Sequence, residues 1–197
     1  LVDIADRLSA DFARMAGKRL LITGGAGFLG YYLVQAALHY NLVSGKPPIH
    51  VTVFDNYMRG MPEWLRALDG RPDLTLRKHD ILRPVPEDLP PQDYLIHAAS
   101  IASPIYYRQH PLETMDANVH GLRYLLEYAR SLAAGGTPMS GFLFYSTSEI
   151  YGDPEVHPQP ESYKGSVNTL GPRACYDEGK RCAETLFMDY HRSNRVN

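Results

Sequence analysis

Lys18-Arg-Leu-Leu-Ile-Thr-Gly-Gly-Ala-Gly-Phe-Leu-Gly30 decides the fold. Lys18 to Thr23 is a short apolar run that predicts a buried strand, and Phe28 to Tyr40 carries the apolar spacing of a helix. Between them stand Gly24, Gly27 and Gly30. A tight turn needs one residue without Cβ, and a pyrophosphate approaching the backbone needs a second. Packing the helix on the strand needs a third. The helix start then offers free N–H groups and a positive dipole end to phosphates. Gly24, Gly27, Phe28, Leu29 and Gly30 are therefore the candidate phosphate cradle of a dinucleotide.

Working outward, the alternation continues. Gly45-Lys-Pro-Pro48 is a turn, and Ile49 to Phe54 is a second strand rich in β-branched residues. Leu74–Arg77 and Tyr94–His97 read as a third and a fourth strand, and Phe142–Tyr145 as a fifth. Pro111 to Ala134 contains a long helix with Leu122, Leu125, Leu126 and Ala129 on one face. Pro172 to Arg192 holds a last helix, with proline near its start where the missing N–H is tolerated. Strands and helices in turn predict an α/β fold, and right-handed crossovers place the helices on both faces of a parallel sheet. The result is a doubly wound, Rossmann-type domain over residues 17–197. Ahead of it, residues 1–16 place Val2, Ile4, Ala5, Leu8, Phe12 and Met15 at helical spacing, which predicts one amphipathic lead-in helix and no signal peptide.

Composition removes several function classes. A 197-residue chain that is 44% hydrophobic and 21% charged is an ordinary globular domain with a real core. A net charge of −2, scattered without a basic block, argues against nucleic acid and against an anionic membrane surface as partners. No apolar run reaches the length of a membrane span. Cys175 and Cys182 lie seven residues apart in a helical pattern, roughly 10 Å along the axis, too far to bridge. No Cys/His cluster has zinc spacing, so no metal is expected, and the two thiols read as reduced in a cytoplasmic protein.

In a doubly wound sheet, ligands bind beyond the carboxyl ends of the strands, so those residues are the candidates. Asp55 follows the second strand, near the spacing at which an acid takes the adenosine ribose hydroxyls. A carboxylate accepts from a diol and repels a 2′-phosphate, which favours NAD; Arg59 close by leaves dual use open. Asn56, Tyr57 and Gly60 complete that loop. Asp80 and Ile81 follow the third strand and are placed to bracket an adenine. Ala98, Ala99 and Ser100 follow the fourth, where small side chains let a cofactor lie against the backbone. Ser146-Thr-Ser-Glu149 follows the fifth, and a run of hydroxyls there hydrogen-bonds a ligand or caps a helix. Finally, Tyr176 and Lys180 stand at i and i+4 on one helix face. The lysine ammonium, and a bound nicotinamide ring, are expected to lower the phenol's pKa and make it a usable general base.

These residues resemble the signature of the extended short-chain dehydrogenase/reductases, the NAD-dependent epimerase/dehydratase family. Gly24-Gly-Ala-Gly-Phe-Leu-Gly30 is similar to its glycine motif, Tyr176 and Lys180 to its Tyr-x-x-x-Lys, and Thr147, ahead of Tyr151-Gly152, to its hydroxyl residue. Ser146 to Pro158, Gly171 to Arg181 and Ser100 to Pro104 look like UDP-glucuronate decarboxylases. The resemblance implies NAD as cofactor, a UDP-sugar as substrate and a homodimer. It implies a catalytic set of Tyr176, Lys180, Thr147, Ser148 and Glu149, with Ser103 at the substrate and Asn118 and Ser146 near the cofactor. Tyr176 would take the C4 hydroxyl proton as hydride passes to NAD, Glu149 would handle a proton near C5, and the resulting β-keto acid would lose carbon dioxide. By the same resemblance Asp116 stands where the decarboxylases carry a lysine, and an acid facing the sugar there would repel a glucuronate. It also implies a smaller C-terminal substrate domain beyond residue 197, so the chain reads as part of a longer enzyme. A dTDP-glucose 4,6-dehydratase, a nucleotide-sugar 4-epimerase and a non-catalytic NAD-sensing protein remain as alternatives. Ser148 in place of an aspartate ahead of Glu149 argues against the first.

Overall fold

A computed structural model of the chain describes residues 2–194 and Val196. Five parallel strands, β1 (Arg19–Thr23), β2 (His50–Asp55), β3 (Leu74–Lys78), β4 (Tyr94–His97) and β5 (Gly141–Phe144), form one sheet in the order β3-β2-β1-β4-β5. This is the doubly wound sheet expected. Register is set by pairs such as Leu20↔Val51, Val51↔Leu74, Leu20↔Tyr94 and Leu95↔Phe142. The period of two in a strand sorts the side chains. Leu20 and Ile22 bury toward one face with Val51, Val53, Val34 and Leu38. Leu21 turns to the other face, where Leu95, Leu122, Leu125, Leu126 and Phe142 meet it.

α3 (Phe28–Val43) covers the first face, while α7 (Leu122–Ala134) and α8 (Ala174–Asn194) cover the second. Two short helices were not foreseen: α4 (Glu63–Arg66) and α5 (Pro104–Gln109). The lead-in is α1 (Val2–Arg7) and α2 (Ser9–Met15) rather than one helix. The break at Leu8 lets Phe12 turn inward and meet Tyr40 of α3, ring centroids 5.2 Å apart.

The long central helix is also compound. α6 (Pro111–Asp116) runs through a π-helical turn at Ala117–Gly121 into α7. Extra backbone in a helix is uncommon outside functional sites. Here it carries Asn118, fully buried, whose Nδ2 donates to the Thr114 carbonyl at 2.9 Å. Its Oδ1 accepts from the Ser100 hydroxyl at 2.9 Å, tying the helix to the end of β4. Cys175 and Cys182 are both free thiols. Among the described residues no helix is long and apolar enough to cross a membrane, and no group of His, Cys, Asp and Glu is arranged to hold a metal.

Candidate active site

β1 and β4 are neighbours, yet the chain leaves β1 toward β2 and β4 toward β5, so their carboxyl ends open a crevice. A hollow of about 450 Å³ lies there. Its floor is the glycine turn. Gly24, at φ +73°, donates its N–H to the Phe54 carbonyl at 2.8 Å. A Cβ on Gly24 would stand 2.7 Å from the Ala99 Cα, and one on Gly30 would stand 2.4 Å from the Gly25 carbonyl oxygen. The helix therefore starts as close to the strand as bare backbone allows. Asp55 is fixed over this turn: Oδ2 accepts from the Ala26 N–H at 3.0 Å and Oδ1 from the Tyr57 N–H at 2.8 Å.

Gly24, Gly27, Phe28, Leu29 and Gly30 line the hollow at the helix start, and Asp55, Asn56, Arg59 and Gly60 along one side. Asp80, Ile81, Ala98, Ala99 and Ser100 line the rest, together with Ser103 from the start of α5. A floor without Cβ atoms, helix-start N–H groups and a carboxylate one strand away fit a dinucleotide with a free ribose diol. The Arg59 guanidinium is committed elsewhere, 5.5 Å from the centre of the Tyr106 ring across the hollow. Tyr57 lies outside the hollow: its side chain packs toward the core beneath α3. Asn118 sits one shell behind, reached through Ser100. Ser146 and Ser148 are exposed and line neither this hollow nor the next.

A second hollow, about 320 Å³, opens at the carboxyl end of β5. Thr147, Glu149, Arg173 and Tyr176 line it, together with Tyr107 and Arg108 of α5. Thr147 caps the short 3₁₀ turn Ser148–Tyr151 by accepting from the Glu149 N–H at 3.3 Å. Tyr176 is 7% exposed, and its ring stacks on Tyr107 at 5.4 Å and 8°. Glu149 is ion-paired with Arg173, which also reaches Asp177 at 3.7 Å. Three members of this set escaped the sequence reading. Arg173 is one helical turn before Tyr176, and Ser103-Pro104 is a helix-start signal for α5 that was available but not used.

The expected electrostatics of the Tyr176–Lys180 pair need correction. Burial pushes the phenol of Tyr176 above its ordinary value, and a hydrogen bond with Thr147 offsets only part of this. Lys180 is not the phenol's partner here. It is 3% exposed, donates to the Tyr145 carbonyl at 2.7 Å and sits 4.6 Å from the Phe144 ring centre. Burial brings its own pKa down to about 8, Glu184 opposing. The i, i+4 spacing put both groups on one face, but the ammonium found a carbonyl first.

Behind Lys180 lies His97, 1% exposed, its Nδ1 2.7 Å from the Thr23 hydroxyl. Burial, with Lys180 adding to it, brings its pKa down to about 3. The half-buried His79 shifts the same way. Unfolded histidine takes a proton near pH 6.5, so between that and about 3 the unfolded chain binds more protons and stability is lost as pH falls. Denaturant titrations at pH 6.5 and 5 should show this loss, at up to about 1.4 kcal/mol per pH unit for His97. His97→Asn should flatten it, and an unchanged slope would mean that the ring is not held neutral.

Residues 20–197 match the NAD dependent epimerase/dehydratase family. The chain is 44% identical to UDP-glucuronic acid decarboxylase 3 of Arabidopsis thaliana over 178 residues, which are 90% of this chain and 48% of the relative. It is 41% identical to UDP-glucuronic acid decarboxylase 1 of Xenopus tropicalis over 179 residues, 91% of this chain and 39% of the relative. The chain thus spans about half the length, or less, of these curated relatives. Among solved structures, the NAD dependent NDP-hexosamine 5,6-dehydratase TunA superposes with TM-score 0.68 at 30% identity, over 89% of this chain and 50% of that one. The dTDP-glucose 4,6-dehydratase DesIV of Streptomyces venezuelae, solved with NAD and TYD bound, superposes with TM-score 0.74 at 24% identity, over 90% of this chain and 53% of that one; at that identity the likeness speaks for the fold alone. With the glycine turn, Asp55 and the Tyr176–Lys180 helix all at one end of a doubly wound sheet, the chain belongs to the NAD dependent epimerase/dehydratase family.

Proposed function

We propose that this chain is the NAD-binding half of a nucleotide-sugar decarboxylase that converts UDP-glucuronate to UDP-xylose or its 4-keto form. The observation that carries the reading is the second hollow. It sets a buried phenol, the Thr147 hydroxyl and the Glu149–Arg173 pair around one small space beside the dinucleotide crevice. The identity to UDP-glucuronic acid decarboxylases across nine-tenths of the chain supports the choice of substrate.

Tyr176 takes the proton of the sugar C4 hydroxyl, with Thr147 sharing that hydrogen bond. Bound in the larger hollow against Gly24, Gly27, Gly30 and Asp55, the dinucleotide supplies the hydride acceptor and donor, and a positive ring charge that favours the phenolate. A ketone at C4 and a carboxylate on C5 make a β-keto acid, which loses carbon dioxide without further activation. Glu149, partly neutralised by Arg173, stands at the same hollow to handle the proton at C5.

The protein incubated with UDP-glucuronate and NAD should yield a nucleotide sugar lighter by one carbon dioxide, read by mass spectrometry. The same preparation on a light-scattering column reads the homodimer that the resemblance implies. Loss of water from a neutral nucleotide hexose instead would make the protein a dehydratase, and inversion at C4 without mass change an epimerase.

A further inference from the structure

Asp116, the acid that seemed to threaten an anionic sugar, lines neither hollow and lies 3.5 Å from His120 instead. Asp177 is a second acid without a part in the proposed steps. It stands in the first turn of α8, next to the reacting phenol in sequence, and its side chain is only 8% exposed. Burial pushes its carboxyl above the ordinary range, and Asp153 and Glu178 push the same way; the cation that opposes them is Arg173. Arg173 is itself shared. Its Nη2 meets Glu149, and its Nε stands 3.7 Å from Asp177 Oδ2. Nε and Nη2 form the fork that clasps a single carboxylate in a bidentate pair, so here the fork is divided between two acids. The Asp177 side is unfinished: Arg173 Nε and Asp177 Oδ1 are both buried, and neither has a hydrogen-bond partner among the described residues. A guanidinium that leaves Glu149 therefore has a second acid already beside it, with hydrogen bonds still to make.

The proposed step at C5 needs such a partner. Glu149 must hold a proton before it can give one, and a neutral Glu149 no longer pairs with Arg173. A guanidinium with no other acid would resist that loss and keep Glu149 ionised. We propose that Asp177 is a positioning residue, which takes over the Arg173 guanidinium while Glu149 carries the proton for C5. The proton reaches Glu149 from water, since that side chain is 37% exposed. It passes to C5 as the electron pair left by carbon dioxide forms the C–H bond, and the Glu149 carboxylate so formed takes Arg173 back. The other charged or titratable groups around the pair are Arg108 and Tyr107 of α5, at the hollow with Glu149, and Cys175 and Tyr176, in which the Asp177 charge adds to the upward push of burial. This assignment rests on the decarboxylase reading and adds to it the acid that lets Glu149 alternate between its two forms.

Glutamate isotopically labelled at its carboxyl carbon reports Glu149 by NMR titration of the NAD-loaded protein, with Glu149→Gln identifying the signal. Asp177→Asn should lower the Glu149 midpoint by about 0.5–1 pH unit, a hold on the proton weaker by about 3- to 10-fold. Asp177→Glu should recover part of it. By linkage, Glu149→Gln should lower the midpoint of a labelled Asp177 by a similar amount, a measurement that stands even where Asp177→Asn folds poorly. Neither shift should survive in an Arg173→Gln background, where a buried Asp177 without its cation is neutral. Unmoved midpoints would overturn the assignment, as would shifts that persist without Arg173, since the two acids would then sense each other directly. The pH profile of carbon dioxide release from UDP-glucuronate should move with the Glu149 midpoint in Asp177→Asn; a profile that stays in place would give the C5 proton to another group and overturn the role as well. Coupled midpoints in a protein that releases no carbon dioxide would sink the decarboxylase chemistry and leave the hold of Asp177 on Arg173 supported.

Discussion

Tyr176→Phe is expected to lower turnover of UDP-glucuronate by about 10³-fold or more, with NAD affinity and melting temperature close to those of the parent protein. The phenol oxygen is the proton acceptor of the proposed step, and of the other two hydroxyl residues at the hollow, Thr147 is a far weaker base and Tyr107 serves as the ring on which Tyr176 stacks. Phenylalanine keeps the ring that stacks on Tyr107, so the wall of the hollow stays in place. Burial is the largest cause of the phenol's raised pKa, so removing that hydroxyl removes a group whose charged form the fold already disfavours. The loss should therefore appear in the rate and not in folding. Single-turnover formation of NADH separates the two, and a variant that keeps about a tenth of the parent rate would mean that the proton leaves through another group.

The split between what was and was not legible follows from range. The strands are short apolar runs closed by turn residues, so local pattern places each within a residue or so: Tyr94–His97 is as read, and Gly141–Phe144 is shifted by one. Right-handed crossovers then put helices on both faces of the sheet, and binding beyond the carboxyl ends of its strands points to the crevice residues Gly24, Asp55, Asp80 and Ala99. Tyr107 and Arg108 were missed because α5 is a single short helix in a loop-like stretch, and no periodicity of 11 or more residues announces it. Arg173 was missed because its partners, Glu149 and Asp177, are set by the fold and not by its own spacing. The direction of the Tyr176 shift was missed for a different reason. Spacing on a helix says which groups share a face, but it does not say how much water remains around them. Lys180 at 3% exposure satisfies its ammonium with a backbone carbonyl, which only the packing of α8 against β5 reveals. The break at Leu8 is of the same kind: the apolar spacing of residues 1–16 suits one helix, and contact with Tyr40 rewards two.

Gly24→Ala is expected to destabilise the chain by about 2–5 kcal/mol and to abolish NAD binding at concentrations that saturate the parent protein. Two costs combine. At φ +73° an L side chain is strained, by about 1–2 kcal/mol. The new methyl would also lie 2.7 Å from both the Cα and the N of Ala99 and 2.9 Å from the Ala98 carbonyl carbon. These are backbone atoms at the end of β4, which no rotamer change can move aside. To make room, the turn must rise into the crevice or β4 must part from β1, and either move closes the floor on which the pyrophosphate is to lie. Gly136→Ala is the control. It has φ +82° but nothing within 4 Å of the new Cβ, and it lies far along the chain from the crevice residues. It should cost only the strain, about 1–2 kcal/mol, and leave NAD affinity alone. Thermal melts of the two variants with and without NAD then isolate the contact with Ala99. If Gly24→Ala melts no lower than Gly136→Ala and still gains stability from NAD, close approach of β1 and β4 is not what the glycine provides, and the crevice assigned to the dinucleotide loses its main geometric support.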